Sequence, residues 1–242
     1  MVRTISVILL LFFSVTSSVA QEELAKEDQS RPEITKIGDY RYRLAGMTFD
    51  SQTREVFIPV AVNMREGGPI EYILVHENGK VHESIFVTKE SPYQLQVILK
   101  LLKYNTGKGD VFNRMYPPEV LEKEGGTEAE RGDAVQFFFQ EKGEVDTLPV
   151  TDLMLDAKTS APMTPGSWII TGSKIQDGNF LAEAEGSILA VYLDEISLFN
   201  MTRDGADNDE RWGAFSKNIP EIGTQGLLIL SPASNSATKP TE

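Results

Sequence analysis

Cysteine is absent from all 242 residues. That absence excludes a disulfide framework, a thiol nucleophile, a cysteine-ligated iron–sulfur cluster and a lipid anchor on cysteine. Histidine is nearly absent too, and the only two, His76 and His82, fall within one short stretch, "LVHENGKVHES". Neither H-E-x-x-H nor G-x-S-x-G occurs, so the usual zinc-protease and serine-hydrolase signatures are missing. Positive charge is scarce: 23 Lys and Arg face 36 Asp and Glu, for a net charge of −13. Such a balance argues against nucleic acid and anionic membrane surfaces as partners. No self-similarity appears at a period of about 20–50 residues, which removes solenoids and propellers.

What is present begins with a targeting pattern. Arg3 precedes an apolar run from Ile5 to Phe13, and Ser18-Val19-Ala20 places small residues where a signal peptidase reads. Residues 1–20 are therefore expected to be a signal peptide cleaved after Ala20, with the protein exported to the periplasm or beyond the cell. No later run approaches the roughly 20 residues that span a bilayer, so no transmembrane segment is expected after cleavage. Residues 21–36 read as a charged, flexible leader and 231–242 as a disordered Ser/Thr/Pro tail.

Between them lie two strand-rich halves, 37–104 and 133–230, expected to share one compact domain and joined by a long loop at 105–132. "REVFIPVAVN", "IEYILVHE" and "KVHESIFVT" are apolar, β-branched runs, and "DAVQFFFQEKGEVDTLPV" repeats the pattern around Gly143. One helix, at about 92–104, is announced by Ser91 as N-cap, Pro92 at the first position and Gln94 completing a capping box. Leu95, Ile98, Leu99 and Leu102 form its apolar face, widened by Tyr93, Val97, Leu101 and Tyr104, with Gly107 as a stop. The expected fold class is α+β: mostly antiparallel or mixed sheets with this helix packed on the first sheet.

Asn78-Gly79 between two apolar runs is the strongest short-range sign of a hairpin. A two-residue type I′ turn pairs Glu77 with Lys80 and sends the two imidazoles to opposite faces. A three-residue loop with a bulge at Gly79 instead pairs His76 with Lys80 and places His82 on the same face. The Asn-Gly preference and the Glu77–Lys80 and Tyr72–Ile85 pairs favour the first register. Either way a zinc site lacks a third ligand, because Glu77 and Glu83 follow their histidines directly and point to the opposite face of a strand. His82 and Ser84 share a face, but neighbours two apart on a strand sit about 6–7 Å from each other, too far for a nucleophile and its base.

Other candidates are weaker in pattern. "TRDGADNDERW" gathers Asp204, Asp207, Asp209 and Glu210, a possible calcium site although it departs from the calcium-loop spacing. "NMREGG" places Arg65 beside paired glycines whose amides could hold an anion. With His82, Ser84 and Arg65, the candidate ligand-binding residues include Trp168, in a short strand, and Ser173, in a Gly-Ser pair. Asn200-Met201-Thr202 is a formal glycosylation sequon.

The run "FIPVAVNMREGGPIEYILVHENGKVHESIFVTKESPYQLQVILKLL" resembles the first half of the YdjY-domain family of exported bacterial proteins. "WIITGSKIQDGNFLAEAEGSILAVYLDEISLFN", "DNDERW" and "IPEIGTQGLLILSP" are similar to its second half. The resemblance implies a cell-envelope or secreted protein of a family without an established biochemical role, and it brings no catalytic residues. A ferredoxin-like role described for some members cannot apply to a chain without cysteine. Two expectations follow: a noncatalytic protein that binds a protein or envelope ligand, with no cofactor, or a metal-assisted hydrolase using His82 with Asp207 or Asp209.

Overall fold

Alternation is cleanest in "VFIPVAV", where Val56, Ile58, Val60 and Val62 are buried and Phe57, Pro59 and Ala61 are half-exposed. The computed structural model describes residues 33–107 and 132–233, and Thr35 onward belongs to one unit. The expected signal peptide, most of the leader, most of the 105–132 loop and most of the tail lie outside the described residues.

The strands are β1 (Thr35–Lys36), β2 (Arg41–Leu44), β3 (Met47–Asp50), β4 (Val56–Val62), β5 (Tyr72–His76) and β6 (Ser84–Thr88). After helix α1 (Pro92–Leu101) come β7 (Ala134–Glu141), β8 (Leu148–Pro149), β9 (Met154–Asp156), β10 (Ala161–Pro162) and β11 (Trp168–Ile170). A small hairpin of β12 (Ile175–Gln176) and β13 (Asn179–Phe180) leads into α2 (Leu181–Glu185). The chain then forms β14 (Ser187–Ala190), β15 (Phe199–Met201), β16 (Trp212–Ala214) and β17 (Gln225–Pro232). β1 and β17 thus take in Thr35–Lys36 and Ser231–Pro232, which the sequence assigns to the leader and the tail.

The α+β expectation is wrong. Eight strands close on themselves in the order β4-β17-β7-β11-β15-β14-β5-β6 and back to β4, so the protein is mostly β and built on a closed barrel. Two contacts in the circuit are parallel, β15–β14 and β5–β6, and the other six are antiparallel. The first-half strands β5, β6 and β4 are neighbours but not a separate sheet, because β14 and β17 of the second half pair with the outer two, β5 and β4, and carry them into the closed wall. An eight-stranded barrel is just wide enough for side chains to fill it. Here Phe86 stacks on Phe139 at 4.8 Å, and Phe137 meets the edges of Phe199 and Trp168 at 5.1 and 6.1 Å.

Among the described residues, helix is limited to α1, α2 and two 3-10 turns, Val81–Glu83 and Val150–Leu153. α1 starts as its sequence demands: the Ser91 hydroxyl accepts from Gln94 N–H at 3.2 Å. It also donates to Glu183 of α2, whose carboxylate accepts from Tyr93 N–H as well, at 2.8 and 2.9 Å. Leu95, Ile98 and Leu99 join the barrel core itself, whereas Tyr93 and Leu101, expected on the buried face, are exposed. The helix ends at Leu101 rather than 104, with Lys103 left-handed. Its free carbonyls are met by Arg54, which donates to Leu102 O and Lys103 O at 3.0 and 3.3 Å and to Asp133 at 3.0 Å.

β3 and β6 both lie along the same side of β4, β3 against its first half and β6 against its second. Pro59 sits at the fork between them. Its missing N–H costs nothing there, since on the fork side neither β3 nor β6 has a residue in register with it, Leu227 of β17 being its partner on the other side, and its carbonyl accepts from the Thr88 hydroxyl at 2.6 Å. The β2–β3 turn is tied back across the fork by Gly46 N–H donating to Glu90 at 2.9 Å.

Candidate functional site

Asn78-Gly79 does not make a hairpin. β5 and β6 run parallel, in register Tyr72↔Ser84, Val75↔Val87 and His76↔Thr88. Neither Asn78 nor Gly79 has the positive φ that a type I′ turn requires. The chain instead turns with Gly79 N–H donating to His76 O at 2.8 Å and climbs through the 3-10 turn. Glycine is needed at 79 for close approach: a Cβ there would lie 2.9 Å from Glu185 O and 3.2 Å from Gly186 Cα. Both obstacles are backbone, so Gly79→Ala is expected to lower stability by about 2 kcal/mol, or Tm by about 4–8 °C. An unchanged melting curve would refute this packing role.

The histidines do not gather a site around themselves. His76 ends β5, with Nδ1 accepting from Asn78 N–H at 3.2 Å. His82 stands on the 3-10 turn, its side chain 75% exposed, and its Nε2 lies 3.1 Å from Glu83 Oε1. The expectation that Glu83 points away from His82 fails because these residues are on a turn, where successive side chains are not held to opposite faces. Among the described residues, no group of three His, Asp or Glu side chains is placed to hold one metal ion.

The remaining sequence candidates are dispersed. Ser84 is buried and donates its hydroxyl to Phe86 O at 2.8 Å. Arg65 pairs with Glu221 and donates to Ser216 O. Trp168 is buried in the barrel, donating Nε1–H to Ala190 O at 3.0 Å. Ser173, left-handed, accepts from Ala182 N–H at 3.0 Å and so serves the start of α2. Asp204 reaches Arg211 at 3.3 Å, while Asp207, Asp209 and Glu210 are exposed. Asn200 of the sequon is fully buried, donating to Thr171 Oγ1 and Asp194 O at 2.8 Å each, so no glycan can attach to it in this fold.

A polar cluster that no sequence spacing reveals joins β5 to the loop after β14. The Tyr72 hydroxyl donates to Asp194 at 2.8 Å and lies 2.8 Å from the donating Lys80 ammonium. Ser197 Oγ and Ile196 N–H donate to the same Asp194 carboxylate at 2.9 and 3.0 Å. Burial, then the neighbouring Asp194 charge, pushes the Tyr72 phenol well above its ordinary range. The phenol is thus held protonated and fully used in hydrogen bonds, a structural tie rather than a base. Beside it, burial and then the Glu83 carboxylate raise the Glu71 carboxyl.

A cleft lies elsewhere, about 620 Å³ on the outer face of β6, β4, β17 and β7. Its floor is made by half-exposed side chains that alternate with the core: Pro59, Ala61, Val87 and Leu227. Glu77, Lys89 and Glu90 form one wall, and Glu141, Lys142 and Glu144, at the β7–β8 turn, form the other. That turn is built on Gly143, whose φ of 96° favours glycine, and Lys142 N–H anchors it to Gln225 O at 2.9 Å. No Ser, His or Tyr lines the cleft, and its one hydroxyl, on Thr88, is spent on Pro59 O. The arrangement can bury apolar surface and pair charges, and its titratable groups are carboxylates and ammoniums alone.

Compared with known protein families, curated proteins and solved structures, the chain has no match in any of the three.

Proposed function

We propose that this chain is an exported, noncatalytic binding protein of the bacterial cell envelope, as its resemblance to YdjY-domain proteins implies, and that the outer cleft holds its ligand. The observation that supports this reading most is the cleft itself: about 620 Å³, apolar below and charged at both walls, with no Ser, His or Tyr in its lining. That volume lies within the range of ligand pockets, roughly 300–1,000 Å³. Binding there releases water from Pro59, Ala61, Val87 and Leu227, which supplies the affinity, while the walls select among ligands.

The neutral fluorescent dye phenylnaphthylamine is the first test. Dye fluorescence is expected to rise on binding the protein, and Ala61→Trp, which fills the floor from an outward position, is expected to weaken binding at least about tenfold, or about 1.4 kcal/mol. Equal binding by a normally folded Ala61→Trp protein would remove the cleft from the proposal.

A further inference from the structure

We infer that the occupant of the cleft is a segment of a partner protein with an apolar centre and a Lys or Arg on each side. This rests on the cleft being the binding site, and it adds the chemistry of what binds. Each wall carries two carboxylates against one ammonium: Glu77 and Glu90 with Lys89, and Glu141 and Glu144 with Lys142. Both walls are therefore acidic in excess, and they face each other across an uncharged floor. A ligand with a single cationic end satisfies one wall and leaves the other unpaired. A polypeptide with basic residues flanking apolar ones satisfies both and fills the floor between them.

Two further features favour a cation here. Glu90 is fixed in place, since its carboxylate accepts from Gly46 N–H at 2.9 Å, so a cation meets a preorganised acid rather than a mobile one. The whole chain carries −13, and that field draws cationic segments toward the protein while repelling nucleic acid and anionic lipid.

The experiment uses the full chain and three labelled hexapeptides, Lys-Leu-Val-Phe-Leu-Lys, its Ser-flanked form and its Glu-flanked form, read by fluorescence anisotropy. The Lys-flanked peptide is expected to bind at least about tenfold more tightly than the Ser-flanked one at low salt, with the gap narrowing as salt rises. The Glu-flanked form is expected not to bind. Glu77→Lys combined with Glu144→Lys is expected to reverse that order, and Ala61→Trp to weaken all binding. Equal affinity for Lys- and Ser-flanked peptides, with the dye still displaced, overturns the cationic partner and leaves the cleft as a binding site. Dodecyltrimethylammonium, with one cationic end, binding as tightly as the Lys-flanked peptide overturns the two-walled reading. Peptide binding that ignores both Ala61→Trp and the wall substitutions overturns the cleft as the site.

Discussion

Trp168→Ala is expected to remove about 3–5 kcal/mol of stability, a large share of the roughly 5–15 kcal/mol that holds a domain folded. Three losses combine. The indole is 1% exposed and fills the barrel between Phe137 and the strands on either side, so its removal opens a cavity that the closed wall cannot collapse around. Ala190 O loses the 3.0 Å donor that satisfies it. Arg203, whose guanidinium lies 5.2 Å from the ring centre, loses the aromatic face that helps it tolerate burial. That arginine donates to Thr164 O at 2.6 Å and faces the sulfurs of Met163 and Met201, and burial lowers its pKa. Urea melts of Trp168→Ala, Arg203→Met and the double variant measure the coupling. A loss under about 1 kcal/mol for Trp168→Ala would mean that the barrel interior is not packed around this ring.

Arg211→Met should be nearly as damaging, at about 3 kcal/mol, because it strands a buried carboxylate. Asp156 is 7% exposed and is gripped in a two-point pair, Arg211 Nε to Oδ1 at 2.6 Å and a terminal nitrogen to Oδ2 at 2.9 Å. Asp204, 87% exposed, adds a weaker contact that water screens. The pair ties β9 to β16 outside the barrel, where Trp212 pairs with Asp156 in the strand register. Hydrogen bonding from Arg211, followed by that from Lys158 N–H, holds the Asp156 carboxyl below its ordinary value against the opposing effect of burial. A depressed carboxyl stabilises the fold above its unfolded pKa, near about 4, and that contribution fades as pH falls through the folded value. The stability gap between the native chain and Asp156→Asn should accordingly be full at pH 7 and shrink in increasingly acidic melts. A gap constant down to strong acid would show that Asp156 is not ionised in the fold.

Local chemistry was readable where it acts alone. Ser91 and Pro92 start a helix, Val56–Val62 alternates as a strand with one buried face, and Gly143 makes the β7–β8 turn. What the reading missed is decided between distant residues. Closure depends on Gln225 facing Ala61 and Gly226 facing Glu141, pairings that no local pattern encodes. Asx-Gly turn chemistry shows the same limit twice. Asp177-Gly178, with φ of 51° and 81°, takes positive φ at both positions between β12 and β13, as a type I′ turn does. Asn78-Gly79, with the better-known signature, gives up that conformation because Gly186 must come against Gly79. The cleft had one sequence hint, Pro59 inside an apolar run, since proline in a strand marks a place where pairing is interrupted. Its floor otherwise looks like any solvent-facing row until β17 and the β7–β8 turn arrive beside it.

The position of β17 in the circuit sets an order of events for the nascent chain. Residues 225–232 are the last of the described strands, yet they stand between β4 and β7, bonded to both along nearly their whole length. Until that segment emerges from the ribosome, two long apolar edges wait without a neighbour, each able to recruit another molecule instead. Synthesis halted before Gln225 would thus yield clumping material, and a holdase guarding the unfinished sheet would matter more here than for a chain assembled from successive hairpins.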